Sequence, residues 1–155
     1  MIPSWVMKAR GPRGRGWTRR SWLLVLAQIP APAARNRKVW PPEREAYPDP
    51  ATEFLVERLT SPNHTSLLPG PYARAFSRKG DFLLYASDRA GSLQLYRMRE
   101  PTGESEQLTE AAALEAGAFT LLADDDQACY FDGDVLYRLS LRNLKTRALY
   151  RTPQG

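Results

Sequence analysis

Phe82-Leu83-Leu84-Tyr85-Ala86-Ser87-Asp88-Arg89-Ala90-Gly91-Ser92-Leu93-Gln94-Leu95-Tyr96-Arg97-Met98 is the stretch that decides the fold. Two short runs rich in Leu and Tyr flank a polar turn ending on glycine, the residue that supplies the positive φ of a tight hairpin. Outward from this hairpin the same pattern recurs at roughly ten-residue spacing, as antiparallel β structure requires. The candidate strands are Tyr72–Ser77, Phe82–Ser87, Leu93–Met98, Glu106–Thr109, Phe119–Leu122, Gln127–Phe131, Val135–Leu141 and Ala148–Arg151. Lys79-Gly80-Asp81, Ala90-Gly91-Ser92 and Asp132-Gly133-Asp134 are the turns. Ala111–Gly117 is helix-favouring but too short for a stable helix, and reads as a connection with one helical turn.

The strands repeat as a group. Ala75-Phe76 recurs as Ala118-Phe119 at an offset of 43, Tyr96-Arg97 as Tyr137-Arg138 at 41, and Leu108 as Leu149 at 41. A period of about 40–45 residues with four short strands per unit is the pattern of propeller blades. The expected fold class is all-β: an incomplete β-propeller of about two four-stranded antiparallel blades, one at about 72–110 and one at about 117–152. Propellers close with about four to eight blades, so this chain needs the missing blades or self-association to complete a ring.

Within the first unit, Phe76-Ser77, Gly80-Asp81, Leu83 to Gly91, Gln94-Leu95-Tyr96, Gly103-Glu104 and Gln107-Leu108-Thr109 occur in the order of a TolB-type, WD-repeat-like blade, which the unit resembles. The second unit is degenerate, with Asp124-Asp125-Asp126 in place of the glycine-containing turn. The wider stretch from Arg58-Leu59-Thr60-Ser61-Pro62 through Tyr72, Phe76 and the Tyr85–Gly91 turn to Leu108-Thr109-Glu110 is similar to the start of oligogalacturonate lyases, over about residues 56–152. That resemblance implies β-elimination on short oligogalacturonides, supported by a divalent metal, manganese, held mainly by histidines of later blades. It implies His64, Tyr72 and Arg74 as substrate-binding candidates. Tyr72 keeps the family's position relative to Phe76, whereas Ala73 stands where a polar residue is expected and His64 lies several residues early. No catalytic residue, metal ligand or cofactor is assigned to this chain, whose single histidine cannot form a histidine cluster. The expectation is the N-terminal part of an exported lyase-like propeller, inactive alone, with an oligogalacturonide or other oligosaccharide as the substrate of the complete form. The alternative is a non-catalytic TolB-type module for periplasmic protein binding.

Charge divides the 155 residues. Residues 1–50 hold 10 Lys/Arg against 3 Asp/Glu, together with 8 of the 13 prolines and all four tryptophans. A basic stretch (Lys8, Arg10, Arg13, Arg15, Arg19, Arg20) precedes the apolar run Trp22 to Ile29 and then Ala31-Pro32-Ala33. That is the order of a signal peptide, and Thr18-Arg19-Arg20-Ser21-Trp22 resembles the twin-arginine type. Cleavage after Ala33 would leave 16 basic and 17 acidic residues, so the positive charge offers no argument for a nucleic-acid partner. Three segments follow: 1–33 as signal peptide, 34–55 as a Pro-rich linker, and 56–155 as the partial propeller, periplasmic or secreted. The apolar run is too short to span a membrane.

Other residues offer chemistry with a plainer reading beside it. Asp88-Arg89 suits a sugar carboxylate, or a turn in which Asp88 accepts backbone N–H groups and Arg89 pairs locally. Asp124-Asp125-Asp126 lacks the alternating spacing of a calcium loop. The tyrosines suit sugar stacking or packing between blades. Cys129, the only cysteine, excludes a disulfide and sits in an apolar strand as a small hydrophobe.

Overall fold

The computed structural model describes residues 37–153; the proposed signal segment, residues 1–33, lies outside the described residues. Among the described residues the secondary structure is all strand, with no helix. The strands are β1 (Val39–Trp40), β2 (Glu45–Pro48), β3 (Leu55–Arg58), β4 (Ser66–Leu67), β5 (Phe82–Ser87), β6 (Gln94–Arg99), β7 (Ser105–Gln107), β8 (Leu114–Leu121), β9 (Gln127–Asp132), β10 (Val135–Ser140) and β11 (Thr146–Arg151). Sheet one has the order β1-β7-β6-β5-β4, sheet two the order β11-β10-β9-β8, and β2-β3 form a separate hairpin. Every pairing is antiparallel. The central hairpin pairs Tyr85 with Tyr96 and Ala86 with Leu95, and its turn glycine, Gly91, sits at φ +94° as the sequence predicts.

Alternation along β5 explains how both faces of sheet one come to be covered. Leu84 and Ala86, with Leu95, face Phe119, Leu121, Ala128, Tyr130 and Leu139 of sheet two, forming the larger core. Leu83 and Tyr85 point the other way and join Tyr96, Met98 and Ala75 in a second core, covered by Trp40 and Leu59. The stretch that reads as a Pro-rich linker therefore carries β1, β2 and a tryptophan packed on sheet one. Its prolines exclude a helix but not an edge strand, because the missing N–H groups cost nothing outside a ladder.

A buried cation holds this strap, residues 37–61, in place. The Arg89 side chain is 1% exposed, with its guanidinium 5.8, 5.7 and 5.2 Å from the ring centres of Trp40, Tyr85 and Tyr96. Its Nη2 lies 2.7 Å from Glu43 Oε2, and that same oxygen accepts the Ser61 N–H at 3.0 Å. Glu43 thus neutralises the cation and joins the two ends of the strap.

Two departures from the expected strands have local causes. Ala111–Gly117 makes no helical turn: Asp132 accepts the N–H groups of Ala112 and Ala113, Leu114 is buried in the core, and β8 already begins at Leu114. Gly117 takes φ +75° inside the irregular stretch of β8 between Leu114 and Phe119, as a bulge requires. Tertiary pairing here overrides local helix preference. Tyr72–Ser77 is not a continuous strand. Its N-terminal part turns at Gly70-Ala73, and Phe76 alone bridges to Leu83, so β4 and Phe76 share the edge of β5.

Truncating Glu43 to Ala leaves Arg89 buried without its counter-charge and should cost about 3 kcal/mol in urea denaturation. Adding Arg89→Met to that variant should recover much of the loss, because no unpaired cation then remains. Equal stability of the single and double variants would show that the pair does not hold the strap.

Candidate functional site

The three substrate-binding candidates lie in the stretch between β3 and Phe76, which also carries β4, an edge strand of sheet one. His64 is exposed, with the next residue anchored: the Thr65 N–H donates to Asp88 Oδ1 at 2.9 Å. Asp88 thus ties the His64 loop to the β5–β6 turn rather than capping only its own turn. Tyr72 stands at the turn closed by the Ala73 N–H to the Gly70 carbonyl, and its side chain is fully exposed. No hydrogen bond or ion pair joins His64, Tyr72 and Arg74 to one another among the described residues.

Arg74 is half-buried and engaged with sheet two. Its backbone N–H donates to Thr120 Oγ1 at 3.1 Å and its carbonyl accepts the Leu121 N–H at 2.8 Å. Its guanidinium donates to the Leu122 carbonyl and pairs with Asp125 Oδ1 at 2.6 Å. Asp125 also accepts the Arg78 N–H at 3.0 Å, and this bond, followed by the Arg74 hydrogen bond, holds its carboxyl below the usual aspartate range. Asp125 sits at φ +58°, the left-handed position that glycine holds in other hairpin turns and that aspartate tolerates. The triple-acid turn is therefore a joint between sheets, with Asp124 accepting the Gln127 N–H and Asp126 pairing with Arg142 at 2.6 Å. The sequence shows the unusual turn residues; the partners of Asp125, Arg74 and Arg78, more than forty positions away, carry no local signal.

Other candidates resolve into packing. Arg89 is sealed beneath the strap. Tyr85, Tyr96 and Tyr130 are buried, and burial raises the Tyr85 phenol and pushes that of Tyr96 up to about 12. Burial likewise raises the Cys129 thiol, leaving it a poor nucleophile. A groove of about 330 Å³ lined by Asp81, Phe82, Arg97, Arg99, Pro101 and Thr102 includes none of the three loop candidates, and its Arg97 is paired with Glu106. Among the described residues no three His, Cys, Asp or Glu side chains gather where they would hold a metal ion. No helix among them is long and apolar enough to cross a membrane.

No protein-family model and no curated protein sequence matches the chain. Solved structures do. One, an oligogalacturonate lyase in complex with manganese, superposes with a TM-score of 0.73 and 31% identity over 76% of this chain. A second, the oligogalacturonate lyase of Vibrio parahaemolyticus, superposes with a TM-score of 0.72 and 24% identity over 76% of this chain. The chain spans 32% of the length of each. Its fold is thus all-β, with antiparallel sheets that match part of a propeller-like lyase fold.

Because the folded Asp125 carboxyl titrates below its unfolded value, its contribution to stability is complete above the unfolded pKa and is lost as pH falls through the folded one. Melting temperature should therefore drop on acidification below about pH 4, and Asp125→Asn should flatten that drop. A profile unchanged by the substitution would remove Asp125 from the acid-sensitive joint.

Proposed function

We propose that this chain contributes two blades to an exported propeller of the oligogalacturonate lyase kind, which cleaves pectic oligosaccharides by β-elimination in its complete form. The observation that carries this reading is the superposition on the manganese-bound lyase at 31% identity over 76% of this chain. The order of basic stretch, apolar run and Ala31-Pro32-Ala33 supports a periplasmic or secreted location.

β-Elimination removes the proton next to the uronate carboxylate and expels the glycosidic oxygen on the neighbouring carbon. It requires a base at that proton and positive charge at the carboxylate, where negative charge develops. A manganese ion of the kind the lyase structure holds finds no ligand group among the described residues of this chain, so no step is derived through one. The role these residues support is substrate contact. Tyr72 offers an exposed ring for stacking on a sugar face, and His64, eight residues earlier, an exposed imidazole. Arg74 reaches a sugar carboxylate only in competition with Asp125. The remaining blades come from further polypeptide or from self-association.

Incubated alone with unsaturated digalacturonate and Mn²⁺, the purified chain should form no new product. Fused to the complementary two thirds of the manganese-bound lyase, it should restore turnover, and Tyr72→Ala in that fusion should raise KM more than it lowers kcat. A folded, manganese-binding fusion that stays inert would overturn the lyase reading and leave the non-catalytic TolB-type module.

A further inference from the structure

Among the described residues Tyr72 is the most exposed large hydrophobic side chain. An exposed ring on a slack loop must be ordered each time a ligand stacks on it, and that ordering is subtracted from the binding free energy. The backbone beneath Tyr72 is not slack. Pro69 and Pro71 bracket Gly70, and each proline fixes its own φ and restricts the residue before it. Pro71 and Tyr72 then take the two central positions of the turn closed by the Ala73 N–H on the Gly70 carbonyl at 2.9 Å.

Both ends of this turn are fastened to one strand of the other sheet. On the N-terminal side the Gly70 N–H donates to the Gly117 carbonyl at 3.0 Å. On the C-terminal side the Arg74 N–H donates to Thr120 Oγ1 at 3.1 Å, and the Arg74 carbonyl accepts the Leu121 N–H at 2.8 Å. All three partners belong to β8. The Gly117 carbonyl faces the turn because the bulge puts that residue at φ +75°. A Cβ there would lie 3.8 Å from the Gly70 nitrogen, an ordinary contact, so glycine is needed for its conformation rather than for space.

We propose that Gly117 and Thr120 are positioning residues for the saccharide contact at Tyr72: β8 clasps the Pro69–Arg74 turn of the neighbouring sheet and holds its ring ready to stack. The inference rests on the lyase reading for the identity of what Tyr72 meets, but not for the clasp itself. A backbone fixed before the sugar arrives leaves only the ring to be ordered, and aromatic rings carry few rotatable bonds. Support of this kind comes from rigid strands rather than from the contact loop.

The test pairs a disruptive double variant of the full chain with a conservative one. Thr120→Val removes the acceptor, and Gly117→Ala strains the bulge that aims the carbonyl. Thr120→Ser keeps the hydroxyl, and Gly117→Asn tolerates positive φ. The ¹⁵N order parameter of the Tyr72 amide should be about 0.85 in the unaltered chain and the conservative double variant, and below about 0.6 in the disruptive one. In the lyase fusion the disruptive pair should raise KM about threefold with kcat little changed, and the conservative pair should restore it. If the disruptive pair loses its β circular-dichroism signal, Thr120→Val alone replaces it, with Thr120→Ser as its control. An order parameter the same in all forms would overturn the proposal. So would a loosened turn with an unaltered KM. A fusion inert in every form would remove the lyase reading, and the order parameter alone would then decide whether β8 positions the ring.

Discussion

A charge placed inside an apolar face must bring its counter-charge with it, and most of the order in sheet one follows from that constraint at Arg89. The guanidinium lies against Trp40, Tyr85 and Tyr96, where its planar, weakly hydrated cation is favoured over an ammonium. It would be expensive there without Glu43. Glu43 belongs to a proline-rich segment with little apolar content of its own, and the ion pair gives that segment a reason to lie on the sheet. Docking Glu43 positions Trp40 and Leu59 over Tyr85, Tyr96 and Met98, so one polar contact closes an apolar face.

The connection from sheet one towards sheet two is held by a second set of polar contacts, again around groups that would be costly if left unpaired. Gln94 Oε1 accepts both the Thr109 hydroxyl and the Ala111 N–H, Gln107 Nε2 donates to the Thr109 carbonyl, and the Thr109 hydroxyl oxygen accepts the Leu95 N–H. These buried bonds fix the path of the chain as it leaves β7 for β8. They give the Gln-Leu-Thr signature a physical meaning, with the leucine in the core and its polar neighbours satisfying the crossing backbone. On the opposite edge Arg74, Arg78 and Asp125 make the corresponding joint. This bears on function, because a guanidinium engaged in holding two sheets together is not free to meet a substrate, whereas Tyr72 and His64 on the same loop are.

Strand content, antiparallel pairing and turn positions were legible in the sequence, because they rest on period-two alternation and on glycines at the turns, both local properties. The polar, proline-containing loop around His64 reads as solvated, whereas the exposed turn position of Tyr72, which the sequence reads as the start of a strand, did not follow from it. What stayed illegible depended on distance along the chain. Nothing near Ala111–Gly117 announces that Asp132 will take its N–H groups and draw it into a strand. Nothing near Glu43 announces an arginine 46 positions away.

The sequence by itself therefore determined that this chain forms short antiparallel strands joined by tight turns, since alternation and turn chemistry act within a few residues. Only the tertiary structure decided which faces are closed and which side chains remain free. Covering a face, neutralising Arg89, engaging Arg74 and fastening the Tyr72 turn are all settled by residues that meet only after the sheets have formed.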